Sequence, residues 1–377
     1  MATIDGSLEK PWYQLDNVEE LDTPALVIFP DRVKHNIHQA ISMVGDVSRL
    51  RPHVKTHKCA EVAALMIEAG ITKFKCATIA EAEMLCMEGA PDVLMAYQPG
   101  GPKLKRFISL IRNYKGTRLS CLVDNVDSAR EQSAQFEAAG LKVDVYIDLN
   151  VGMNRTGIAP GEKALALYQL IDALPGLNIN GLHAYDGHIR EKDFEAKKAA
   201  CDKAFAQVEA LKEAIEAKGM ATPVIIVGGS PSFSVHSVRS GVECSPGTFI
   251  YWDYGYNQLC PEQLFLPAAI LVTRVISLPT HTRVCTDLGH KSVAAENEIG
   301  KRVSFLNASG LFAVGQSEEH LVLETAAGHS FQPGQVLYAL PYHICPTVAL
   351  YEKVYIAAQH HIADSWRNAA RDRQIGC

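Results

Sequence analysis

Short β-rich runs alternate with helix-length amphipathic segments through the first two thirds of this chain, and that rhythm restricts the fold more than any other feature. TPALVIF at 23–29, closed by Pro30, precedes Val33, Ile37 and Ile41 at helical spacing. VSRLRPHVK (47–55) precedes CAEVAALMIEAG (59–70), KFKCAT (73–78) precedes IAEAEMLCMEG (79–89), and DVLMAY (92–97) precedes KLKRFISLIRN (103–113). RLSCLVD (118–124), VDVYIDLN (143–150) and NINGLHAY (178–185) continue the strands, with helices from near Asp127, over 161–174 and over 193–218, before PVIIVGGS (223–230). Helices of that length permit right-handed crossovers in a parallel sheet. Seven or eight such units by residue 250 exceed the needs of a small open sheet, so the expectation is an α/β fold closed into a (β/α)₈ TIM-type barrel. A doubly wound sheet is the competitor.

After residue 262 the pattern changes. Runs at 268–278, 282–289, 302–307, 311–317, 318–325, 335–341 and 348–358 are strand-like, divided by Gly, Pro, Asn or Ser, with no convincing helix between them. The expected division is a barrel over 25–262 and a β domain over 263–377, the latter joined by residues 1–24.

With 36 basic and 42 acidic residues the formal charge is −6, which disfavours nucleic acid and anionic membranes as partners. The start has no apolar core of a signal peptide, and LFLPAAILV (264–272) is too short to span a bilayer, so a cytoplasmic location is expected. None of the ten cysteines forms a CxxC pair, and nine read as reduced, buried thiols. Cys345 stands apart.

Several segments carry polar groups where chemistry could occur. Arg51-Pro-His-Val-Lys-Thr-His-Lys58 falls at the end of an expected strand, where barrel enzymes place reactive groups, although a solvated loop has the same composition. Val227-Gly-Gly-Ser230 and Ser245-Pro-Gly-Thr248 let backbone N–H groups approach an anion and could together cup a phosphate; each alone is an ordinary turn. Asp148 to Gly157 presents Arg155, whose fork suits an oxyanion, and His183-Ala-Tyr-Asp-Gly-His188 ends another strand in polar residues. In an extended segment His343 and Cys345 point the same way and can converge on one metal ion, with the thiolate favouring zinc.

Asp22-Thr-Pro24, RPHVKTHK, KCATIAEAE, DLNVGMNRTG, GLHAYDGH, VGGSPSF, ECSPGT, DLGHK and PYHICPT occur in order along nearly the whole chain. Together they resemble the fold-type III pyridoxal-phosphate enzymes of the D-threonine aldolase and D-serine dehydratase group, related to alanine racemase. The resemblance implies pyridoxal 5'-phosphate bound covalently to Lys55, which later exchanges protons at the substrate α-carbon. It implies that Arg155 approaches the cofactor's phenolic oxygen, that Gly229, Ser230, Gly247 and Thr248 surround the phosphate, and that Tyr185 lines the ring. His343 and Cys345 match a divalent-metal pair, for zinc or manganese with magnesium as the harder alternative. The aldolases carry a histidine, their base for the β-hydroxyl, where this chain has Asp186; Asp186 or His188 is expected to substitute. Cys345 resembles the dehydratases, while YDGH resembles the aldolases, toward which the reading leans. The expected reaction is retro-aldol cleavage of a D-β-hydroxy amino acid, with D-serine or D-threo-3-hydroxyaspartate dehydration as the alternative, in a homodimer.

Overall fold

The computed structural model describes residues 10–377; the first part of the N-terminal segment assigned to the β domain, and the start examined for a signal, lie outside the described residues. Seven parallel strands form one sheet in sequence order: β2 (Lys73–Cys76), β3 (Asp92–Met95), β4 (Arg118–Val123), β5 (Val143–Leu149), β6 (Leu177–Ala184), β7 (Val224–Val227) and β8 (Glu243–Cys244). Residues 50–53 fill the gap between its two ends. Leu50 bridges Cys244 and His53 bridges Lys75, both in parallel. Arg51 N–H donates to the Cys244 carbonyl and Lys75 N–H to the Pro52 carbonyl, each at 2.8 Å.

The expected strand over 47–55 is therefore four extended residues between single 3₁₀ turns at Val47–Arg49 and Val54–Thr56. Pro52 explains the shortening, because it has no N–H to continue a ladder. Helices α1 (Pro30–Val44), α2 (Ala60–Glu68), α3 (Ile79–Met87), α4 (Pro102–Asn113), α5 (Val126–Ala138), α6 (Glu162–Asp172) and α7 (Phe194–Ala217) follow the strands. Thr78, Asn125 and Asp193 cap three of them, each side chain accepting from the N–H of the residue three positions on. The buried residues Ala129, Gln132, Ser133 and Phe136 of α5 form one helical stripe.

The barrel is charged inside at the end away from the cleft. Arg51, 1% exposed, donates to Glu243 at 2.7 Å and to Asp92 at 2.5 Å. Lys73 also reaches Glu243, and Arg118 meets Asp92 at 3.3 Å and Asp144 at 2.5 Å. Above this layer lie Leu94, Leu122, Tyr146 and Ile226. Removing the Glu243 charge leaves the buried Arg51 guanidinium with Asp92 alone and strips Lys73 of its partner, so Glu243→Gln should cost about 3–5 kcal/mol. A denaturant midpoint equivalent to less than about 1 kcal/mol of loss would contradict that assignment.

The second sheet runs β12 (Phe312–Gln316), β13 (Leu321–Glu324), β10 (Arg283–Thr286), β9 (Ala269–Thr280), β1 (Ala25–Ile28), β15 (Lys353–Ala358) and β16 (His361–Arg367), with β14 (Val336–Pro341) also on β9 and β11 (Val303–Phe305) on β14. Thus β1, placed with the barrel by a division at residue 25, pairs antiparallel with β9 and parallel with β15. All four of its residues are buried, as a central strand covered on both faces requires. The run at 348–358 is strand only from Lys353, because Val348 closes the helix Ile344–Val348. Among the described residues no helix is long and apolar enough to cross a membrane.

Candidate active site

The carboxyl ends of the barrel strands and the loops of the C-terminal domain enclose a cleft of about 590 Å³, lined by residues that include Lys55, Lys75, Tyr185, Ser230, Thr248 and Cys345. Lys55 stands on the 3₁₀ turn that follows the closing segment. Its backbone N–H donates to His53 Nδ1 at 3.3 Å. Burial, reinforced by Lys55, Lys75 and Lys58, holds His53 well below the usual imidazole range, so the ring is neutral and able to accept.

The glycine segments meet on the same cleft. Ser230 Oγ accepts from the N–H groups of Gly247, at 3.2 Å, and Thr248, at 2.9 Å. Gly228 has φ +73°, and a Cβ on Gly229 would lie 2.7 Å from Tyr185 Cε2. On Gly247 it would approach the His53 carbonyl to 3.0 Å. A side chain would be strained at 228, crowded at 229 and tight at 247, which keeps the backbone open here; with Ser230 Oγ turned aside, the N–H groups of Gly247 and Thr248 would form a cradle suited to a phosphate. An amine, a phosphate cradle and the aromatic Tyr185 on one cleft fit pyridoxal phosphate.

Arg155 is exposed and does not line the cleft directly; its guanidinium lies over the Tyr185 ring, 5.2 Å from the centroid. On the other approach, Lys75 Nζ lies 5.7 Å from that centroid and 3.4 Å from His183 Nε2. His183 Nδ1 is 2.7 Å from Asp148. Lys75 was not anticipated from sequence. The available signal was its inward position, two residues after Lys73 on the same strand.

Asp186 and His188 are not brought into the cleft. Asp186 is buried, accepting from Ser232 Oγ at 2.6 Å and paired with His236 Nε2 at 2.8 Å. His188 is exposed and packs beside Gly152, where a Cβ would meet its Nε2 at 2.5 Å. The chain turns after Tyr185, so Arg190, not His188, reaches the cleft. Asp186, Cys201 and His236 form a candidate metal-binding group, with ligand atoms within 4.8 Å of one another. The void they border is about 10 Å³ and otherwise largely apolar, and the Asp186 oxygens are already engaged.

His343 and Cys345 do line the cleft. The segment is not extended. His343 immediately precedes the helix Ile344–Val348, and the Ile344 N–H donates to buried Asp253 at 2.9 Å. Cys345 Sγ lies 3.2 Å from Thr56 Oγ1 and 3.6 Å from Thr248 Oγ1, next to the phosphate cradle. His343 Nδ1 is 2.5 Å from Glu296 Oε1. Burial opposes charge on His343, but Cys345, Asp253 and Glu296 outweigh it and raise its pKa to about 9. Burial likewise pushes the Cys345 thiol up, and His343 and Lys55 bring it net below its ordinary value. A thiolate beside an imidazole whose far nitrogen meets a carboxylate is a donor set that fits a divalent metal.

Residues 28–255 match the family described as "Alanine racemase, N-terminal domain", and residues 268–357 that described as "Putative serine dehydratase domain". A D-threonine aldolase from Arthrobacter sp. is 30% identical over 97% of each chain. The crystal structure of a D-threonine aldolase from Filomicrobium marinum is 25% identical, with TM-score 0.86 over 93% of this chain and 96% of that one. D-threo-3-hydroxyaspartate dehydratase from Delftia sp. HT23 is 26% identical, with TM-score 0.82 over 92% and 97%; solved variants of that enzyme are altered at a histidine and at a cysteine, the latter in a metal-free form. The barrel with its lysine and phosphate cradle, the second sheet, and both family matches lead to one conclusion: the chain belongs to the fold-type III pyridoxal-phosphate-dependent enzymes related to D-threonine aldolase and D-threo-3-hydroxyaspartate dehydratase.

Proposed function

We propose that the chain is a metal-assisted lyase that cleaves D-threonine or a related D-β-hydroxy amino acid to glycine and an aldehyde. The observation that carries this reading is the placement of Lys55, the phosphate cradle and the His343–Cys345 pair on one cleft. Bound pyridoxal phosphate supplies an electron sink for the bond being broken at the α-carbon, and a divalent metal would supply Lewis acidity toward the β-oxygen. Lys55 holds the cofactor and moves the proton at the α-carbon. Ser230, Gly247 and Thr248 fix the phosphate, while Tyr185, buttressed by Arg155, positions the ring. His343 and Cys345 hold the metal, and Glu296 orients the imidazole. Asp186, tied to Ser232 and His236, anchors the strand end that carries Tyr185, and His188 lies outside the chemistry.

The cysteine at 345 favours a second reading, dehydration of D-serine or D-threo-3-hydroxyaspartate to a keto acid and ammonia. The same donors would then act on the hydroxyl as a leaving group. Incubation with D-threonine, D-serine and D-threo-3-hydroxyaspartate, with cofactor and divalent metal, separates the two. Glycine and aldehyde without ammonia is the expected result. Keto acid and ammonia would establish the dehydratase, and neither product across the panel would end both readings. All ten cysteines are free, which supports a reducing, cytoplasmic setting, and two copies are expected to pair in solution.

A further inference from the structure

Of Lys73 and Lys75, the two lysines of β2, Lys75 is the one without a carboxylate partner among the described residues. Lys73, two positions earlier on the same face of β2, is paired with Glu243. Among the described residues no carboxylate lies within ion-pair distance of Lys75, whose nearest polar partner is His183 Nε2 at 3.4 Å. His183 faces the Asp148 carboxylate through Nδ1 at 2.7 Å. That nitrogen therefore carries the ring proton, which leaves the Nε2 lone pair to accept from the lysine. Burial, followed by Lys75, lowers the His183 pKa, so the imidazole is neutral and consistent with this orientation. The side chain of Lys75 is 2% exposed, yet it lines the cleft beside Tyr185.

We propose that Lys75 is a positioning residue and the second amine of the cofactor site, held by the Asp148–His183 pair so that its charge tunes the cofactor bound at Lys55. The inference rests on the cofactor site proposed above. Burial is the largest influence on Lys75 and brings its pKa to about 7. Lys55 and Arg51 oppose its charge, while Asp148 and Asp186 favour it; His53 and His183 also face it, both neutral. The amine therefore changes charge across neutral pH, where Lys73 does not need to.

The test is the visible spectrum of the cofactor-loaded enzyme as a function of pH. The parent should show a transition with its midpoint near pH 7 that neither Lys75→Met, always neutral, nor Lys75→Arg, always charged, retains. Lys75→Met should hold the high-pH spectrum throughout and Lys75→Arg the low-pH spectrum. A transition that survives in both variants, or is absent from the parent, overturns the proposal.

If the variants fail to fold, acetic anhydride labelling of the unsubstituted protein decides. Pyridoxal phosphate should slow acetylation of Lys75 at least about fivefold, and labelling indifferent to the cofactor overturns the proposal. A loaded parent with no visible band would remove the underlying cofactor reading as well. A band with no response to Lys75 would remove this inference alone.

Discussion

Lys55→Ala should lower turnover on the order of 10⁴-fold or more and remove the visible absorption of covalently held cofactor. Three lysines line the cleft, so the expectation depends on why the other two do not replace it. Lys58 is ion-paired with Glu81, whose carboxylate is fully buried, and its backbone lies at φ 54°. Lys75 is held against His183 on the barrel floor. Lys55 has neither restraint, and the 3₁₀ turn presents it to the cleft that the cradle and the Cys345 thiol also line. It is half-buried and sits outside the barrel's ionic layer, so its loss should leave the thermal midpoint nearly unchanged. Borohydride reduction of the loaded parent followed by peptide mass analysis should locate the cofactor on Lys55. A label on Lys75, or a visible band that persists in the variant, would show that the reactive amine has been misassigned.

The fold was legible in the sequence where local pattern and tertiary demand agree. Apolar runs such as VIIV at 224–227 and helices such as the one over 194–217 are set by periodicity, so their positions followed from the chain alone. Two departures came from partners distant in sequence. Nothing within ALVI at 25–28 distinguishes a barrel strand from a central strand of the other sheet, since β9 and β15 supply its neighbours from more than 240 residues away. Pro52 interrupts the ladder of the closing segment, yet the bridges at Leu50 and His53 complete the barrel around it.

At the site, residue identity was easier to read than direction. Lys55, the glycines of the cradle, His343 and Cys345 all face the cleft. Asp186 and Tyr185 are adjacent on one turn, and neighbouring side chains there diverge, one into the cleft and the other toward Ser232 and His236. The choice between them is made by packing beneath the strand end, which leaves no trace in spacing. Lys75 was overlooked for the complementary reason. A lysine in a strand reads as solvated, and only closure of the barrel turns an inward-facing position into a buried one.

Cys345→Ala is expected to lower metal-dependent turnover by about 100-fold or more while leaving the visible band of the bound cofactor in place. The two properties separate because the cradle is built from backbone N–H groups of residues 247 and 248 and from Ser230, and the thiol touches it only through the Thr248 side-chain hydroxyl. His343→Ala should behave alike, although it also removes the partner of Glu296. Glu296→Gln keeps both proposed ligands and should weaken metal binding by about 10–100-fold, as loss of an orienting carboxylate does. The pair also sets the sign of the pH dependence. With its pKa raised to about 9, His343 holds a proton at neutral pH that an incoming metal must displace. Affinity should therefore climb with pH and level off near 9. Calorimetric titration of the purified protein with zinc and with manganese measures this directly. Unchanged affinity in both Cys345→Ala and His343→Ala would move the ion elsewhere, and the buried Asp186, Cys201 and His236 group would become the place to look.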